Sequence, residues 1–215
     1  LRKSSKKALP TGDFVYFPLH YEPERTTTPD GGKFQDQFVA ICKLRQILPK
    51  HISIVVKEHP SQFMAARTGY SGRSPLFYRL IGNLERVLII DIEHSSQDLV
   101  RKASYLATIS GTVAFESALL GKKSILFGDA WFYPMPNVFQ WGSFSSFSEF
   151  EELPTKSFEE ITNYFVDNLV KYSIPGYQNE SNLPRFKHFT DKRFLTEQRN
   201  ALLSSVQVFF ERYVT

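Results

Sequence analysis

Residues 105–128, YLATISGTVAFESALLGKKSILFG, carry the strongest fold signal in the chain. They begin with an apolar run, Tyr105 to Ile109, which predicts a buried strand. Residues 110–112 (SGT) then begin a helix that ends at Gly121, a residue typical of helix C-termini. The run Ser124 to Phe127 predicts the next strand. A strand, a helix and a strand in this order indicate two parallel strands joined by a crossover.

The same alternation occurs upstream of this segment. Strands are predicted at 14–19, 52–56 and 87–90, and helices over about 33–48, over 75–82 and from Ser95 onward. The strands are nearly continuous apolar runs, as expected where both faces of a parallel sheet are covered by helices. The five predicted strands and their helices therefore indicate an α/β fold, a Rossmann-like parallel sheet with flanking helices.

The pattern changes after about residue 143, where amphipathic helices replace the alternation. Phe158, Ile161 and Phe165 mark one helix, and apolar positions from Leu195 to Tyr213 mark another. We expect these C-terminal helices, within 151–215, to close the same domain. Three parts are predicted: a basic tail or inter-domain linker at 1–12, the sheet domain at 13–150, and the closing helices at 151–215.

The composition excludes several classes of protein. Of 215 residues, 42% are hydrophobic and 22% are charged, which is typical of a packed globular domain. No apolar run approaches the roughly 20 residues that a membrane-spanning helix needs. A single cysteine, Cys42, excludes an internal disulfide and favours a reducing compartment. We therefore expect a cytoplasmic location.

The net charge of +4 is concentrated at the start of the chain. The four tail cations are Arg2, Lys3, Lys6 and Lys7. The rest of the sequence is neutral, which argues against a nucleic-acid-binding face. A linker, or weak attraction to an anionic membrane surface, explains such a tail better, so peripheral association with the inner membrane stays open. Because the sequence begins at Leu1 rather than Met, we expect it to be part of a longer protein.

Polar residues follow most of the predicted strands. They are His20, Glu22, Glu24 and Arg25 after the first strand, His59 and Pro60 after the second, Ser110, Gly111 and Thr112 after the fourth, and Asp129 after the fifth. Ligands of open parallel sheets bind beyond the carboxyl ends of the strands. We therefore expect these residues to share one rim and to form a binding site.

Residues 110–112 lie where a strand meets the start of a helix, and backbone amides there favour an anion such as phosphate. The hydroxyls of Ser110 and Thr112 are also ordinary helix N-caps, and that alternative stays open. Glu116 lies four residues after Thr112, on the same helical face. Its carboxylate is suited to accept hydrogen bonds from a ribose diol, and an exposed surface glutamate is the alternative.

Pro60 favours an extended conformation of His59, which turns the ring or the amide of His59 toward the rim. We expect a phosphate contact there, with a simple turn residue as the alternative. In the first loop, His20, Glu22 and Glu24 are candidates for a catalytic general base. A loop clamped by a salt bridge to Arg25 is the favoured interpretation. Metal ligation by His20, Glu22 and Glu24 stays open as an alternative, but no zinc-type spacing occurs and no metal site is predicted.

Two motifs resemble those of known enzymes. Residues 110–128 resemble the donor-binding signature of GT-B glycosyltransferases and the related sugar-nucleotide 2-epimerases. Residues 57–60 (KEHP) resemble the HP motif of bacterial capsule polysaccharide transferases, including the Kdo-transferase and sialyltransferase groups, and residues 127–131 (FGDAW) continue the likeness. The resemblance covers about residues 13–140 and implies the C-terminal, donor-binding half of a GT-B enzyme, without its acceptor-binding half.

The resemblance also implies roles for individual residues. His59 and residues 110–112 would contact the donor phosphates, Glu116 would hold the ribose, and the loop from His20 to Arg25 would face the sugar or the cleft. The implied reaction is metal-independent transfer of a sugar from a CMP-, UDP- or GDP-linked donor to a hydroxyl of a carbohydrate acceptor, in capsule or other surface polysaccharide biosynthesis. No further cofactor is expected.

Two other functions stay open at this point. One is a sugar-nucleotide 2-epimerase or a hydrolase, for which no complete catalytic set is recognisable here. The other is a non-catalytic interaction module with an exposed aromatic patch made of Trp131, Phe132, Tyr133 and Trp141. Because the general base of GT-B transferases commonly comes from the acceptor-binding half, we expect this chain alone to bind a donor without turnover.

Overall fold

The structure, a computed structural model, describes residues 8–24, 26–64, 72–170, 196 and 200. Its strands are β1 (Phe14–Pro18), β2 (Ser53–Lys57), β3 (Val87–Ile90), β4 (Tyr105–Thr108), β5 (Ser124–Leu126) and β6 (Val138–Gln140). Its helices are α1 (Gln37–Ile47), α2 (Pro75–Gly82), α3 (Ser96–Lys102), α4 (Val113–Leu119), α5 (Phe147–Glu152) and α6 (Phe158–Phe165). Short 3-10 helices occupy Gly32–Phe34 and Pro60–Phe63, and a π-helical turn spans Val166–Val170.

The described strands form one six-stranded sheet in the order β3-β2-β1-β4-β5-β6, and every neighbouring pair is parallel. Strand β1 lies inside the sheet, where Val15 pairs with Ile54 of β2 and with Tyr105 of β4. The chain first builds the sheet outward from β1 to β3 and then returns to the other side of β1. This is the Rossmann strand order, and it confirms the predicted α/β class.

Helices cover both faces of the sheet. Val15 and Phe17 of β1 belong to a buried apolar cluster that includes Ile41 of α1 and Ile81 of α2. Tyr16 points to the opposite face, because successive side chains of a strand alternate. Its hydroxyl donates to Ser96 Oγ of α3, at 3.5 Å. Burial on both faces explains why the strands are nearly continuous apolar runs.

Helix α1 begins at Gln37, four residues later than predicted from the sequence. The carboxylate of Asp36 accepts a hydrogen bond from the Phe38 amide at 2.9 Å and thereby fixes the first turn. Upstream, Gly32 has a φ of +51° and begins the 3-10 turn that takes Phe34 out of the α-helix. Helix α4 ends as predicted, since Gly121 has a φ of +73° and closes its C-terminus.

Strand β6 and helix α5 were not predicted. Each is too short, at three and six residues, to show a periodicity of its own. Strand β6 is added to the sheet edge beside β5, where the Ser124 amide donates to the Asn137 carbonyl at 2.8 Å. The helix predicted from Phe158 is confirmed as α6. The one predicted from Leu195, like most of the basic tail, lies outside the described residues.

The chain divides into two compact units between Asn163 and Tyr164. The first unit contains the sheet. The described part of the second consists of residues 164–170 with Thr196 and Asn200. The predicted parts 1–12, 13–150 and 151–215 stay predictions. Among the helices of the described ranges, none combines the length and the apolar character that a bilayer span requires.

Candidate functional site

The carboxyl ends of β1 and β4 lie side by side at the point where the strand order reverses. His20 follows β1, and its Nε2 lies 3.0 Å from Thr108 Oγ1 at the end of β4. The Ser110 amide donates to the same Nε2 at 3.4 Å, and the Ser110 hydroxyl donates to the Thr26 carbonyl at 2.6 Å. The structure therefore brings His20 and Ser110 together at one edge of the sheet, where the sequence analysis placed both.

The neighbours of His20 define where its proton lies. The Ser110 amide can only donate, so Nε2 is the unprotonated ring nitrogen and accepts from the Thr108 hydroxyl as well. The Thr108 oxygen in turn accepts from the Gly111 amide at 3.2 Å. The ring proton is therefore on Nδ1, which donates to Thr26 Oγ1 at 3.2 Å. Thr26 in turn donates to the exposed Glu24 Oε2 at 3.3 Å. A continuous hydrogen-bonded chain therefore links Glu24 to the Gly111 amide.

Burial lowers the pKa of His20 to about 4, and the positive charges of His59 and Arg73 act in the same direction. The ring is therefore neutral near pH 7. Both of its nitrogens already have partners, so a role as general base would require one of these hydrogen bonds to break. In this conformation His20 holds the ends of β1 and β4 together.

Glu22 and Glu24 have different partners. Glu22 Oε2 pairs with Arg73 Nη1 at 3.3 Å, and Gln37 Nε2 donates to Glu22 Oε1 at 2.5 Å. Burial raises the pKa of Glu22, and Arg73 opposes that effect. The salt bridge of this loop is thus made with Arg73, while Arg25, the arginine considered from the sequence, lies outside the described residues. Among the described residues, no group of three His, Cys, Asp or Glu side chains is placed to hold a metal ion.

A buried ion pair lies beneath this loop. The side chain of Arg73 is 2% exposed and that of Glu58 0%, and Arg73 Nε lies 3.2 Å from Glu58 Oε2 at an angle that makes no hydrogen bond. Tyr78 Oη donates to the same carboxylate oxygen at 2.6 Å. Arg73 Nη2 donates to the His20 carbonyl at 2.7 Å. The pair therefore connects the end of β2 to the backbone that follows β1.

Two buried glutamines fix the backbone of the same loop. Gln37 Oε1 accepts from the His20 amide at 2.8 Å. Gln62 makes two hydrogen bonds to Glu22, accepting from its amide and donating to its carbonyl, each at 2.9 Å. Neither glutamine was predicted as a site residue, nor were Arg73 and Tyr78. A sequence signal existed for Gln37, which is spaced four residues before Ile41 on the buried face of α1. Gln62 and Arg73 lie in polar stretches without an apolar pattern and gave no such signal.

His59 is extended, as the following proline predicted, with φ −67° and ψ 129°. Its Nδ1 accepts from the Ser61 amide at 3.2 Å and caps the 3-10 turn that begins at Pro60. Its ring meets Tyr21 edge-on, with the ring centroids 6.2 Å apart. His59 thus has the turn role that was the alternative, and its exposed ring also lies beside the loop that follows β1.

Helix α4 presents Thr112 and Glu116 to solvent. The Thr112 side chain makes no capping hydrogen bond, so the capping alternative is wrong for this residue. At Gly111, a Cβ would lie 2.8 Å from Thr108 Oγ1, so a side chain there would disturb the His20 contact. The Glu116 carboxylate has neither a hydrogen bond nor an ion pair with any described residue. It is therefore available to a ligand.

Asp129 is exposed beyond β5, and its amide donates to the Asp30 carbonyl at 2.8 Å. This contact joins the loop after β1 to the end of β5. That loop also borders a pocket of about 500 Å³. The pocket is lined by Glu22, Pro23, Glu24, Thr27, Thr28, Gln35 and Gly72. The predicted rim residues in the described ranges therefore lie along one edge of the sheet. Ser110 follows β4, beside the point where the strand order reverses, and Asp129 follows β5, one strand further away.

The four aromatic residues considered as an interaction patch separate into two pairs. Phe132 is fully buried, and Trp141 stacks on Phe127 with the ring centroids 4.6 Å apart. Trp131 and Tyr133 are 63% and 40% exposed. Half of the set is therefore part of the core, and the four side chains do not form one continuous exposed patch.

No protein-family model matches the sequence, and neither does any curated protein. Fourteen chains of solved structures show similarity, and three examples follow. The beta Kdo 2,7 transferase and the beta Kdo 2,4 transferase of KpsC from Thermosulfurimonas dismutans align at 15% and 21% identity, with TM-scores of 0.49 and 0.45. The alignments cover 74% and 72% of this chain and 46% of each transferase chain.

The third structure is MnaA from S. aureus with UDP, at 14% identity and a TM-score of 0.33, covering 53% of this chain and 27% of that one. The present chain thus spans less than half the length of each of these proteins. The two Kdo transferases are of the class that the sequence motifs resemble.

Proposed function

We propose that this chain is the donor-binding half of a GT-B glycosyltransferase and binds a nucleotide-sugar at the sheet edge between β1 and β4. The observation that carries the proposal is the strand order, which reverses between these two strands. Connections from neighbouring strands at such a point run to opposite faces, and the crevice between them is where open α/β sheets bind nucleotides. The loop that contains His20 and residues 110–112 lie at that crevice.

The roles that we propose follow the geometry. Residues 110–112 and His59 contact the phosphates, and Glu116 binds the ribose through its available carboxylate. Asp129 and the loop after β1, including Arg25, face the sugar. What supports the ribose assignment is that Glu116 is exposed one helical turn from Thr112 and has no partner among the described residues. The alternative is an exposed surface glutamate that is solvated by water, and Glu152 of α5 is such a residue.

The proposed reaction transfers the sugar to a hydroxyl of a carbohydrate acceptor, in capsule or other surface polysaccharide biosynthesis. The bond between the anomeric carbon and the nucleotide oxygen breaks, and the acceptor oxygen bonds to that carbon. Hydrogen-bond donors of the site stabilise the leaving phosphate without a metal ion. The acceptor proton goes to a base, which we assign to an acceptor-binding half, because His20, Glu22 and Glu24 are held in hydrogen bonds within the loop.

We also propose that the enzyme works in the cytoplasm, with its basic tail attracted to the anionic inner face of the membrane. Such attraction is electrostatic and must weaken as salt screens it. Sedimentation of the chain with anionic vesicles at low salt, and its loss at about 0.5 M salt, would support this role. Sedimentation that is unchanged by salt would contradict it.

The experiment that tests the main proposal is a thermal-shift panel with CMP, UDP, GDP and ADP, followed by calorimetric titration of any nucleotide that binds. A ligand that binds only the folded state raises the melting temperature by mass action. We expect one nucleotide to bind and Glu116→Gln to weaken its affinity by about 1.5–3 kcal/mol, the range for hydrogen bonds to a charged group. Glu152→Gln, on the exposed end of α5, is the matched control.

Two results would overturn the proposal. The first is the absence of binding by every nucleotide at millimolar concentration. The second is nucleotide binding that Glu116→Gln leaves unchanged, since the ribose assignment and the position of the site depend on that carboxylate. Loss of affinity in Glu116→Gln, together with unchanged affinity in Glu152→Gln, supports the site.

A further inference from the structure

Lys57, the last residue of β2, is a buried residue whose ammonium group has one hydrogen-bond partner among the described residues. The residue is 4% exposed, and its Nζ donates to Ser96 Oγ at 2.9 Å. Within the described ranges, that hydroxyl is its one hydrogen-bond partner, and no carboxylate lies within ion-pair distance. An ammonium has three donors, so two are unused. Leaving a buried charged donor unsatisfied is costly, and such a group needs an explanation.

The other partly buried lysines of this fold are satisfied by backbone carbonyls. Lys122 Nζ donates to three of them, those of Val100, Arg101 and Ala103, at 2.9, 2.5 and 2.6 Å. That lysine thereby completes the C-terminal end of α3 and has no donor left for a ligand. Lys57 lacks any such set of carbonyls, which distinguishes it from a lysine with a purely structural role.

The position of Lys57 places its ammonium at the proposed binding edge. Ser96 is exposed and begins α3, directly after the loop that follows β3. Tyr16 Oη of β1 also donates to Ser96 Oγ, at 3.5 Å. Burial raises the pKa of Tyr16 to about 12, and the charge of Glu116 acts in the same direction. Side chains of β1, β2, α3 and α4 thus converge on the face of the sheet that carries Glu116.

We propose that Lys57 is an anion-binding residue of this site and that its two unused donors bind a phosphate of the nucleotide. This inference rests on the proposed function. A phosphate supplies the negative charge and the acceptor oxygens that the folded chain does not offer to this ammonium. Burial lowers the pKa of Lys57 in the chain without ligand, in agreement with a cation that lacks a counter-charge.

The test compares Lys57→Met with the wild-type chain in calorimetric titrations of the nucleotide identified by the panel and of its phosphate-free nucleoside. We expect Lys57→Met to weaken nucleotide binding at least tenfold and to leave nucleoside binding unchanged. Lys102→Met, an exposed lysine at the end of α3, is the control and keeps the wild-type affinity for both. Lys57→Gln is measured in parallel, so that the comparison stands if the methionine variant does not fold.

A melting curve without ligand separates binding from a structural role. A lysine kept for its phosphate contact costs stability in the free chain, so Lys57→Met should melt at or above the wild-type temperature. A lower melting temperature together with unchanged nucleotide affinity in both variants would overturn the inference and assign Lys57 to the fold.

Failure of this inference and failure of the proposed function give different results. If the wild-type chain binds no nucleotide, both the proposed function and the proposed role of Lys57 are wrong. If the wild-type chain binds a nucleotide, Glu116→Gln weakens the binding and neither Lys57 variant does, the site stands and the role of Lys57 is wrong. Equal weakening of nucleotide and nucleoside by Lys57→Met also contradicts a phosphate contact.

Discussion

The imidazole Nε2 of His20 lies 3.0 Å from Oγ1 of Thr108, so a side chain that follows β1 is hydrogen-bonded to the last residue of β4. The two residues are 88 positions apart in the sequence. Their contact joins the two strands between which the strand order reverses. Because the ring is largely buried and neutral, this contact depends on pH.

His20 is expected to make the fold less stable in mild acid. Its pKa is about 4 in the folded chain and about 6.5 when unfolded, so above pH 6.5 it contributes no pH dependence. Between pH 6.5 and 4 the unfolded state takes up a proton that the folded state does not, and the free energy of unfolding falls by up to about 3 kcal/mol. Urea unfolding at pH 7, 5.5 and 4 measures this loss.

In His20→Gln that part of the pH dependence should disappear, while His51→Gln, at an exposed position, should keep it. The difference between wild-type and variant curves removes the contributions of other acidic groups. An identical slope for wild-type and His20→Gln would mean that His20 is not held neutral by the fold.

Replacement of Arg73 by methionine is expected to destabilise the fold strongly. It leaves Glu58, whose side chain is 0% exposed, as a buried charge without its cation. Breaking a buried ion pair from one side costs about 3–5 kcal/mol. Chemical denaturation of Arg73→Met measures the loss. Arg101→Met breaks an exposed pair with Asp98 and should cost less than about 1 kcal/mol. Similar losses in the two variants would show that the Glu58 pair is not desolvated.

The Gln62 contact predicts a local effect on exchange. In Gln62→Leu the Glu22 amide and carbonyl lose their partners, and the cost should be about 1–3 kcal/mol. The Glu22 amide should then exchange with solvent much faster, which hydrogen-exchange NMR detects directly. Gln46→Leu, on the exposed face of α1, should leave that amide protected. Unchanged protection in Gln62→Leu would remove Gln62 from the support of the loop.

The sheet and most of its helices could be predicted because apolar runs and their spacing are local signals. The residues that follow the carboxyl ends of the strands could be predicted for the same reason. His20, His59 and Ser110 were therefore placed on one rim. Arg73 could not be found in this way. Its partner Glu58 is 15 residues away, and only the folded sheet makes that carboxylate a buried one. Buried polar residues that hold a loop in place can therefore be recognised only from the tertiary structure.

Gly128 is expected to tolerate no side chain. A Cβ at this position would lie 2.9 Å from the Gly31 Cα and would meet the Asp30 carbonyl oxygen, so the loop after β1 would have to move. Gly128→Ala should therefore cost about 1–3 kcal/mol, as overpacking does. Gly82→Ala is the matched change, since a Cβ there meets nothing within 4 Å at the end of α2. It should be neutral or stabilise by up to about 1 kcal/mol.

Thermal denaturation of the two alanine variants measures both effects in one experiment. A lower melting temperature for Gly128→Ala alone would confirm that the loop after β1 packs closely against the end of β5. Equal melting temperatures would mean that this loop can withdraw from β5 without loss of stability.

The interior position of β1 has a consequence for the order in which the chain folds during synthesis. Val15 needs Ile54 on one side and Tyr105 on the other, and the second of these is made about 90 residues later. Until β4 leaves the ribosome, one edge of the central strand has no neighbour, and its apolar side chains are open to wrong pairings. The half-sheet of β1, β2 and β3 is therefore a stage at which a chaperone bound to the open edge of β1 would prevent wrong pairings.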